Sequence, residues 1–297
     1  MQDTTLIRRS AKTTDGVTLN FVETGNPSGP PILFIHGISQ SWRSWERQLE
    51  DPSLRSRFRL IALDLRGHGD SQGGLPGPDS CDGGTAEESA RLWAGDIAAI
   101  IASCGLSDVT LVGWSYGGVV ALDYLSAGNG MEGVRKVVLV ATSPVIRPPG
   151  AADGGADRVF SAPAIGAILR SLSPDQAADG LRDFSEICLA DDTGRPPADD
   201  REVEAITSWS LSTAPEVRMS IIRRDFDYRK FLAELPAEQR KKITVITPLG
   251  DKTLQPSNTL AYWPSSGIAQ MPVDKEGHLY FRRNPEDFCR RLMHLVG

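Results

Sequence analysis

Short, largely apolar runs recur along this chain. Four of them lie in its first half, at residues 32–35, 60–63, 109–112 and 136–141, and a fifth lies at residues 243–246. An unbroken apolar run of this length is typical of a strand that is buried on both faces of a sheet. Residues 17–22 alternate apolar and polar positions instead, which indicates an earlier strand with one face exposed.

Segments with helical periodicity separate these runs. Residues 87–102 repeat apolar side chains at helical spacing, and residues 119–125 and 286–295 also indicate helices. Strands that alternate with helices are typical of a parallel sheet that helices cover on both sides. The sequence therefore predicts the α/β class, with a mostly parallel central sheet and helices on both of its faces.

The alternation stops between residues 144 and 238, where no convincing buried strand occurs. Residues 164–172, 200–211 and 215–224 indicate short helices, and the strand at 243–246 then resumes the sheet. We predict a core formed by residues 1–143 and 239–297, with residues 144–238 inserted between two core strands as a helical cap. A smaller insertion at 72–85 is rich in Gly, Pro and Asp, which predicts a surface loop.

Composition and charge narrow the classes of partner. The 297 residues can bury a substantial core, and a net charge of −6 without a basic cluster argues against nucleic-acid binding. The apolar runs are too short to span a bilayer, so no membrane insertion is expected. The polar first five residues do not resemble a secretory signal, and we expect a cytoplasmic protein.

No feature of the sequence indicates a metal or a cofactor. The four cysteines (Cys81, Cys104, Cys188 and Cys289) lie far apart without a C-x-x-C pair, which favours free thiols. No phosphate-binding loop is present, and no G-x-G-x-x-G follows the first buried strand, so a dinucleotide fold is not indicated. We expect no metal and no cofactor.

The sequence between the strand at 109–112 and the helix at 119–125 is Gly113-Trp114-Ser115-Tyr116-Gly117. A serine between a strand and a helix must turn sharply, and glycines two positions away on either side remove Cβ atoms that would collide there. Such a turn exposes the hydroxyl of Ser115 and directs the Tyr116 N–H toward the same space. We predict Ser115 as a nucleophile and Tyr116 as a backbone donor to an oxyanion, with Gly113 and Gly117 supporting the turn.

A serine hydroxyl needs a base, and the base needs an acid that orients it. His278 lies in a loop before the terminal helix and is the one histidine expected to reach Ser115 from across the cleft. His36 and His68 belong to turns after early strands, and His294 is expected on a packed helix face.

The expected acid is Asp251, the first carboxylate after the strand at 243–246. No acidic residue follows the strand at 136–141 until Asp153. Asp274 and Glu276 flank His278 too closely in sequence to approach its Nδ1 correctly.

A second oxyanion donor is expected from the turn at His36-Gly37, with Ile38 as the best candidate. The alternative interpretation of His36 and Gly37 is a simple turn that ends a strand. The sequence thus indicates a catalytic triad of Ser115, His278 and Asp251 with two backbone donors.

These motifs resemble the α/β-hydrolase superfamily, in the cap-bearing group of small esterases, cofactor-free haloperoxidase-like perhydrolases and C–C bond hydrolases. Their order matches over nearly the whole chain: His36-Gly37, the segment at 64–71, the turn at 113–117, the loop at 247–253 that carries Asp251 (the acid loop) and Gly277-His278. The resemblance implies the same triad and the same two oxyanion donors. One departure concerns the acid loop, where relatives usually carry His-Gly-x-x-Asp. If Gly250 is aligned with the glycine of that motif, Thr253 stands at the position of the acid. If the position is counted from the end of the strand at 243–246 instead, Asp251 stands there.

The predicted function is a serine hydrolase that cleaves a carboxylic ester, lactone or thioester of a small apolar acyl or aryl compound through an acyl-enzyme. A C–C bond hydrolase, a perhydrolase and a biosynthetic enzyme that does not hydrolyse its substrate remain alternatives, as does a non-catalytic ligand-binding protein. Ser115 argues against epoxide-hydrolase and dehalogenase chemistry, which requires a carboxylate nucleophile.

Apolar residues of the cap are expected to contribute more to packing than to a pocket, and Arg223-Arg224 is expected on a solvated helix face. The sequence does not indicate an oligomeric state.

Overall fold

The computed structural model describes residues 6–73, 86–147, 159–263 and 267–297. Eight strands form one sheet in the order β1-β2-β4-β3-β5-β6-β9-β10, and β7 pairs separately with β8. The strands are β1 (Ile7–Lys12), β2 (Thr18–Gly25), β3 (Pro31–Ile35), β4 (Arg59–Leu63), β5 (Val109–Trp114), β6 (Val134–Val140), β7 (Val145–Ile146), β8 (Phe226–Asp227), β9 (Ile243–Pro248) and β10 (Ala269–Val273).

Thirteen helices are assigned within the described residues, besides a 3₁₀ turn at Trp42–Trp45 and a π-helical turn at Leu125–Asn129. They are α1 (Glu46–Glu50), α2 (Pro52–Arg57), α3 (Ala86–Cys104), α4 (Tyr116–Tyr124), α5 (Ala162–Arg170), α6 (Ala177–Leu189), α7 (Asp200–Leu211), α8 (Pro215–Arg223), α9 (Arg229–Glu234), α10 (Ala237–Arg240), α11 (Pro256–Tyr262), α12 (Tyr280–Arg283) and α13 (Pro285–Val296). None of these helices is long and apolar enough to cross a membrane, within the ranges that the structure covers.

The sheet is mostly parallel. Strand β2 pairs antiparallel with both β1 and β4, and all other neighbours in the sheet are parallel. The chain moves one way along the sheet from β3 to β4 and the opposite way from β5 through β6 to β9. Right-handed crossovers in opposite directions put their helices on opposite faces. The predicted α/β class with helices on both faces is confirmed.

The inner strands are the ones that the sequence pattern predicted. All six residues of β5 are buried, and the apolar residues of β3 and β4 are buried as well. The sequence analysis missed the two edge strands, β1 and β10. Only Ala11 of β1 is buried, and β10 contains Pro272, whose missing N–H is tolerated at an edge. Neither strand has the apolar run that marks a buried strand.

The segment between β6 and β9 is mainly helical, although these two strands are direct neighbours in the sheet. Helices α5, α7 and α8 lie where the sequence predicted them, and α6 was missed. Gly180 allows α6 to lie against the end of α5, since a Cβ there would be 2.6 Å from Ser171 N. We call residues 159–240 the inserted segment. The predicted boundaries of a separate cap stay a prediction, and residues 74–85 of the expected surface loop lie outside the described residues.

Candidate active site

Ser115 lies at the junction of β5 and α4 with a backbone that few L-residues adopt. Its φ is 54° and its ψ is −121°, and its N–H donates to Val140 O on β6 at 2.9 Å. A Cβ at position 113 would lie 2.5 Å from Gly117 O, and one at position 117 would collide with the carbonyls of Ile35 and His36. Both glycines therefore permit the close packing that holds the strained turn.

His278 and Asp251 meet as a buried pair. His278 Nδ1 lies 2.7 Å from Asp251 Oδ2, and the His278 and Asp251 side chains are 1% and 3% exposed. A carboxylate accepts only, so Nδ1 carries the proton of this hydrogen bond. Nε2 of neutral His278 is then the nitrogen with a free lone pair, which is the form that a general base requires.

The loop after β9 fixes Asp251 through its other oxygen. Asp251 Oδ1 accepts hydrogen bonds from Thr253 N at 2.7 Å and from Leu254 N at 3.0 Å. Thr253 Oγ1 in turn donates to Cys188 Sγ at 3.3 Å. The alignment that places Asp251 at the position of the acid thus describes this loop. Thr253 supports the carboxylate and does not replace it.

Trp114 connects the nucleophile turn to the loop that carries His278. Its indole N–H donates to His278 O at 3.0 Å, and the two rings lie 5.4 Å apart. Among the described residues, no hydrogen bond joins Ser115 Oγ to His278; in ligand-free enzymes such bonds often form only with substrate. The sequence analysis did not foresee this role of Trp114, although a buried indole N–H needs an acceptor.

The other carboxylates near His278 face elsewhere. Asp274 is exposed, and Glu276 binds Arg195 and accepts from Asn284 Nδ2 at 2.9 Å. Asp153, the remaining alternative from the sequence, lies outside the described residues. Asp251 is therefore the carboxylate that the described structure pairs with His278.

Ile38 and Tyr116 line the same cavity as Ser115. Tyr116 is the first residue of α4, so its N–H has no acceptor within the helix. A Cβ at Gly37 would lie 3.2 Å from Ser115 Cβ, so glycine allows the turn after β3 to approach the nucleophile. Ser39 then reverses the chain with a φ of 56°. This arrangement can present two backbone donors to one oxygen atom.

His36 supports the turn and is held neutral. Its Nε2 accepts from Leu65 N at 3.0 Å, which requires the proton on Nδ1, 2.7 Å from Gly37 O. Burial, together with the neighbouring His68, lowers the pKa of His36 well below its ordinary value. His36 thus joins the turn after β3 to the turn after β4 and takes no part in proton transfer to Ser115.

The cavity at Ser115 has a volume of about 60 Å³. Most of the side chains that line it are apolar, and the inserted segment supplies six of them. Ile38, Ser115, Tyr116, Val119, Ala141, Thr142, Ser143, Ile146, Arg147, Phe160, Ile165, Ile168, Phe184, Ile221, Ile222 and Leu254 line it. Small ligand pockets in proteins usually measure roughly 300–1,000 Å³, so this cavity suits a small apolar group.

Two tryptophans lie away from this cavity. Trp45 stacks on Phe281 at 4.2 Å in the core, and Trp209 lies beneath Arg282 at 5.1 Å. His294, expected on a packed helix face, is exposed on α13. Within the residues described here, no group of three or more His, Cys, Asp or Glu side chains could hold a metal ion.

The expectation of a solvated helix face for Arg223-Arg224 is wrong for Arg224, which is buried, whereas Arg223 at the end of α8 is exposed. Its guanidinium binds both oxygens of Asp123 and also donates to Tyr116 Oη at 3.1 Å. No local pattern indicates this cluster, because Asp123 and Arg224 lie about a hundred residues apart in the chain.

Comparisons with known proteins agree with this architecture. A model of the alpha/beta hydrolase family matches residues 32–291. A presumptive aryl esterase from Burkholderia cenocepacia superimposes with a TM-score of 0.81 and 29% identity, over 98% of each chain. The esterase RhEst1 from Rhodococcus sp. ECU1013 gives a TM-score of 0.78 and 27% identity, over 97% of this chain and 98% of that one.

Curated relatives match this chain over very different lengths. The non-heme chloroperoxidase CPO-A1 of Kitasatospora aureofaciens is 29% identical over 281 residues, which is 89% of this chain and 94% of that protein. Epoxide hydrolase 4 of Mus musculus is 32% identical over 127 residues, which is 42% of this chain and only 32% of that protein. The match to the epoxide hydrolase thus spans about a third of its length.

Proposed function

Because the chain belongs to the alpha/beta hydrolase family, we propose that it is a serine hydrolase that cleaves carboxylic esters with a small apolar acyl group. The observation that carries this proposal is the buried His278–Asp251 pair, 2.7 Å apart, beside a strained serine that lines an apolar cavity. Similarity to two esterases over nearly their whole length supports an ester as substrate.

In the proposed mechanism, neutral His278 accepts the proton of Ser115 at Nε2 as the hydroxyl oxygen attacks the ester carbonyl. Asp251 keeps the proton of His278 on Nδ1 and stabilises the imidazolium that forms. The N–H groups of Ile38 and Tyr116 would donate to the oxyanion of the tetrahedral intermediate. Removing one such donor costs about 10²–10³-fold in rate in serine hydrolases.

The intermediate collapses when His278 returns the proton to the leaving alcohol, and the acyl group stays on Ser115. A water molecule then attacks the acyl-enzyme while His278 accepts its proton, and a second collapse releases the acid and restores the serine. Each proton taken by His278 is given back, so the cycle needs no further acid or base.

The lining of the cavity supports an apolar acyl group, because apolar side chains form most of its surface, and its volume of about 60 Å³ favours a small one. Ser115 stands where an epoxide hydrolase would need a carboxylate nucleophile, which argues against epoxide opening.

The chloroperoxidase relative favours one second candidate, perhydrolysis. Hydrogen peroxide would replace water in attacking the acyl-enzyme, and the products would be a peracid and free Ser115. The same triad serves both reactions. Peracid formation from an acetate ester and peroxide, measured against acetate release, would distinguish them.

We expect Ser115→Ala to abolish hydrolysis of 4-nitrophenyl acetate while the protein stays folded, because in the proposed mechanism only Ser115 forms the acyl-enzyme. The wild-type protein should also gain the mass of one fluorophosphonate adduct, and Ser115→Ala should gain none. Intact-protein mass spectrometry and circular dichroism check both expectations. Turnover by Ser115→Ala at the wild-type rate, or an adduct on both proteins, would contradict the proposal.

A further inference from the structure

A buried ion pair joins the helix behind the nucleophile to the inserted segment. Asp123 of α4 is fully buried, and Arg224, which follows α8, is 5% exposed. Arg224 Nη1 lies 2.7 Å from Asp123 Oδ2, and Nη2 binds the other carboxylate oxygen. The Tyr228 hydroxyl donates to Asp123 as well. Two residues of the inserted segment thus donate three hydrogen bonds to one carboxylate of the core.

Arg224 also binds the residue that follows the nucleophile. The Nη1 group that contacts Asp123 donates to Tyr116 Oη at 3.1 Å. Tyr116 and Asp123 are seven residues apart, which puts them two turns apart on one face of α4. One guanidinium therefore contacts α4 in its first turn and near its end.

The Tyr116 ring has little freedom to move. Trp93 of α3 meets it edge to face with the ring centroids 5.6 Å apart, and the side chain is 4% exposed. Burial, with Asp123 nearby, raises the pKa of the Tyr116 hydroxyl to about 12, although Arg224 opposes the shift. Tyr116 is therefore a neutral phenol whose oxygen accepts the hydrogen bond from Arg224.

Stability alone gives a weak reason for this cluster. Removing two charges from water costs several kcal/mol per ion, and apolar residues of similar volume often stabilise a core as well as a buried ion pair does. A planar guanidinium, in contrast, can hold a carboxylate and a hydroxyl in fixed relative positions. The geometry is thus better suited to fixing the position of Tyr116 than to stabilising the fold.

We propose that Arg224 is a positioning residue, which holds Tyr116 through its hydroxyl and so fixes the N–H of Tyr116 at the oxyanion. Because Arg224 belongs to the inserted segment, this contact couples the packing of that segment on the core to the geometry of the turn at Ser115. The inference rests on the proposed function, in which the Tyr116 N–H stabilises the tetrahedral intermediate.

The test compares Arg224→Lys and Tyr116→Phe with the double variant, using 4-nitrophenyl acetate as substrate. Lysine keeps the charge but cannot bridge Asp123 and Tyr116 as a fork, and phenylalanine removes only the hydroxyl. We expect each single variant to lower kcat about tenfold and to change KM less than twofold. The double variant should lose little more than either single variant, because both break the same contact.

Glu202→Gln is the matched control. Glu202 lies on α7 of the inserted segment and binds Arg47 at 3.0 Å and Arg282 at 3.1 Å, so it carries a partly buried ion pair of the same segment with partners other than Tyr116 and Asp123. The Glu202→Gln variant should have a lower melting temperature than the wild-type protein and the same kcat.

Two results would overturn the positioning role. One is a wild-type kcat in Tyr116→Phe, which keeps the ion pair and is expected to fold even where Arg224→Lys does not. The other is a loss of kcat in the double variant that equals the product of the losses in the two single variants. Absence of ester hydrolysis by the wild-type protein would instead reject the proposed function, and the positioning role with it.

Discussion

At the scale of single residues, the candidate site depends on how Asp251 is held. One carboxylate oxygen meets His278 Nδ1, and the other accepts two backbone N–H groups of its own loop. These backbone donors hold the carboxylate in place independently of His278. The carboxylate is therefore arranged in advance to orient the imidazole.

We expect Asp251→Asn to lower kcat by about 10⁴-fold, since an amide can donate to Nδ1 and favours the tautomer in which Nε2 carries the proton. Steady-state kinetics with 4-nitrophenyl acetate provide the measurement. Asp274→Asn is the control, because Asp274 is exposed in the neighbouring loop. An Asp251→Asn variant with kcat within tenfold of wild type would mean that another group orients His278.

At the scale of elements, the start of the inserted segment is bonded to the acid loop. Phe160 forms an isolated bridge with Leu254, Ser161 N donates to Thr253 O at 2.8 Å, and Gln255 N donates to Val159 O at 2.6 Å. Leu254 is 4% exposed and lines the cavity at Ser115. It also lines an open groove of about 880 Å³ between the acid loop and helices α5 and α6. Leu254 thus separates the small cavity from the larger groove.

We expect Leu254→Ala to extend the range of acyl chains, because it removes the side chain between the two spaces. The ratio of kcat/KM for 4-nitrophenyl octanoate to that for the acetate should rise at least tenfold. The Leu254 N–H still donates to Asp251 in the variant, so the pair with His278 should persist. Leu249→Ala, at an exposed leucine of the same loop, is the control and should leave the ratio unchanged. An unchanged ratio in a folded Leu254→Ala protein would show that another wall limits chain length.

At the scale of the whole molecule, buried titratable groups link the fold to pH. Burial lowers the pKa of His68 to about 4, and its Nδ1 lies 2.9 Å from Arg66 O. The unfolded chain then binds a proton near the ordinary pKa of 6.5 while the folded protein does not, so acidification below pH 6.5 destabilises the fold. Burial raises the pKa values of Asp64 and Asp96 to about 6, and these carboxyl groups act with the opposite sign between pH 4 and 6.

We expect the free energy of unfolding to fall by about 2 kcal/mol through His68 when the pH is lowered from 6.5 to 4.5, because the pKa of His68 is lowered in the folded protein. His68→Asn, which keeps an amide donor near the position of Nδ1, should lose correspondingly less stability over this interval. Urea unfolding at both pH values measures the difference. His294→Asn, at an exposed histidine of α13, should behave as the wild type. An equal loss in His68→Asn and wild type would assign the acid sensitivity to other groups.

The sequence by itself determined the features that depend on neighbouring residues. Apolar runs predicted the inner strands, because a strand buried on both faces needs apolar side chains at every position. The glycines around Ser115 predicted the strained turn, since no Cβ fits there. Motif order then indicated His278 and Asp251, because parallel strands carry their following loops to one edge of the sheet.

Only the tertiary structure decided the features that depend on residues distant in the chain. The edge strands β1 and β10 lack a buried face, so no apolar pattern marks them. The two possible registers of the acid loop differ only in which side chain meets His278, and that contact exists only in the folded chain. Arg224 looked like a surface cation because its partners, Asp123 and Tyr116, lie about a hundred residues away along the chain. Local sequence carries the preferences of each element, whereas the partner of a buried charge is set by how the elements pack.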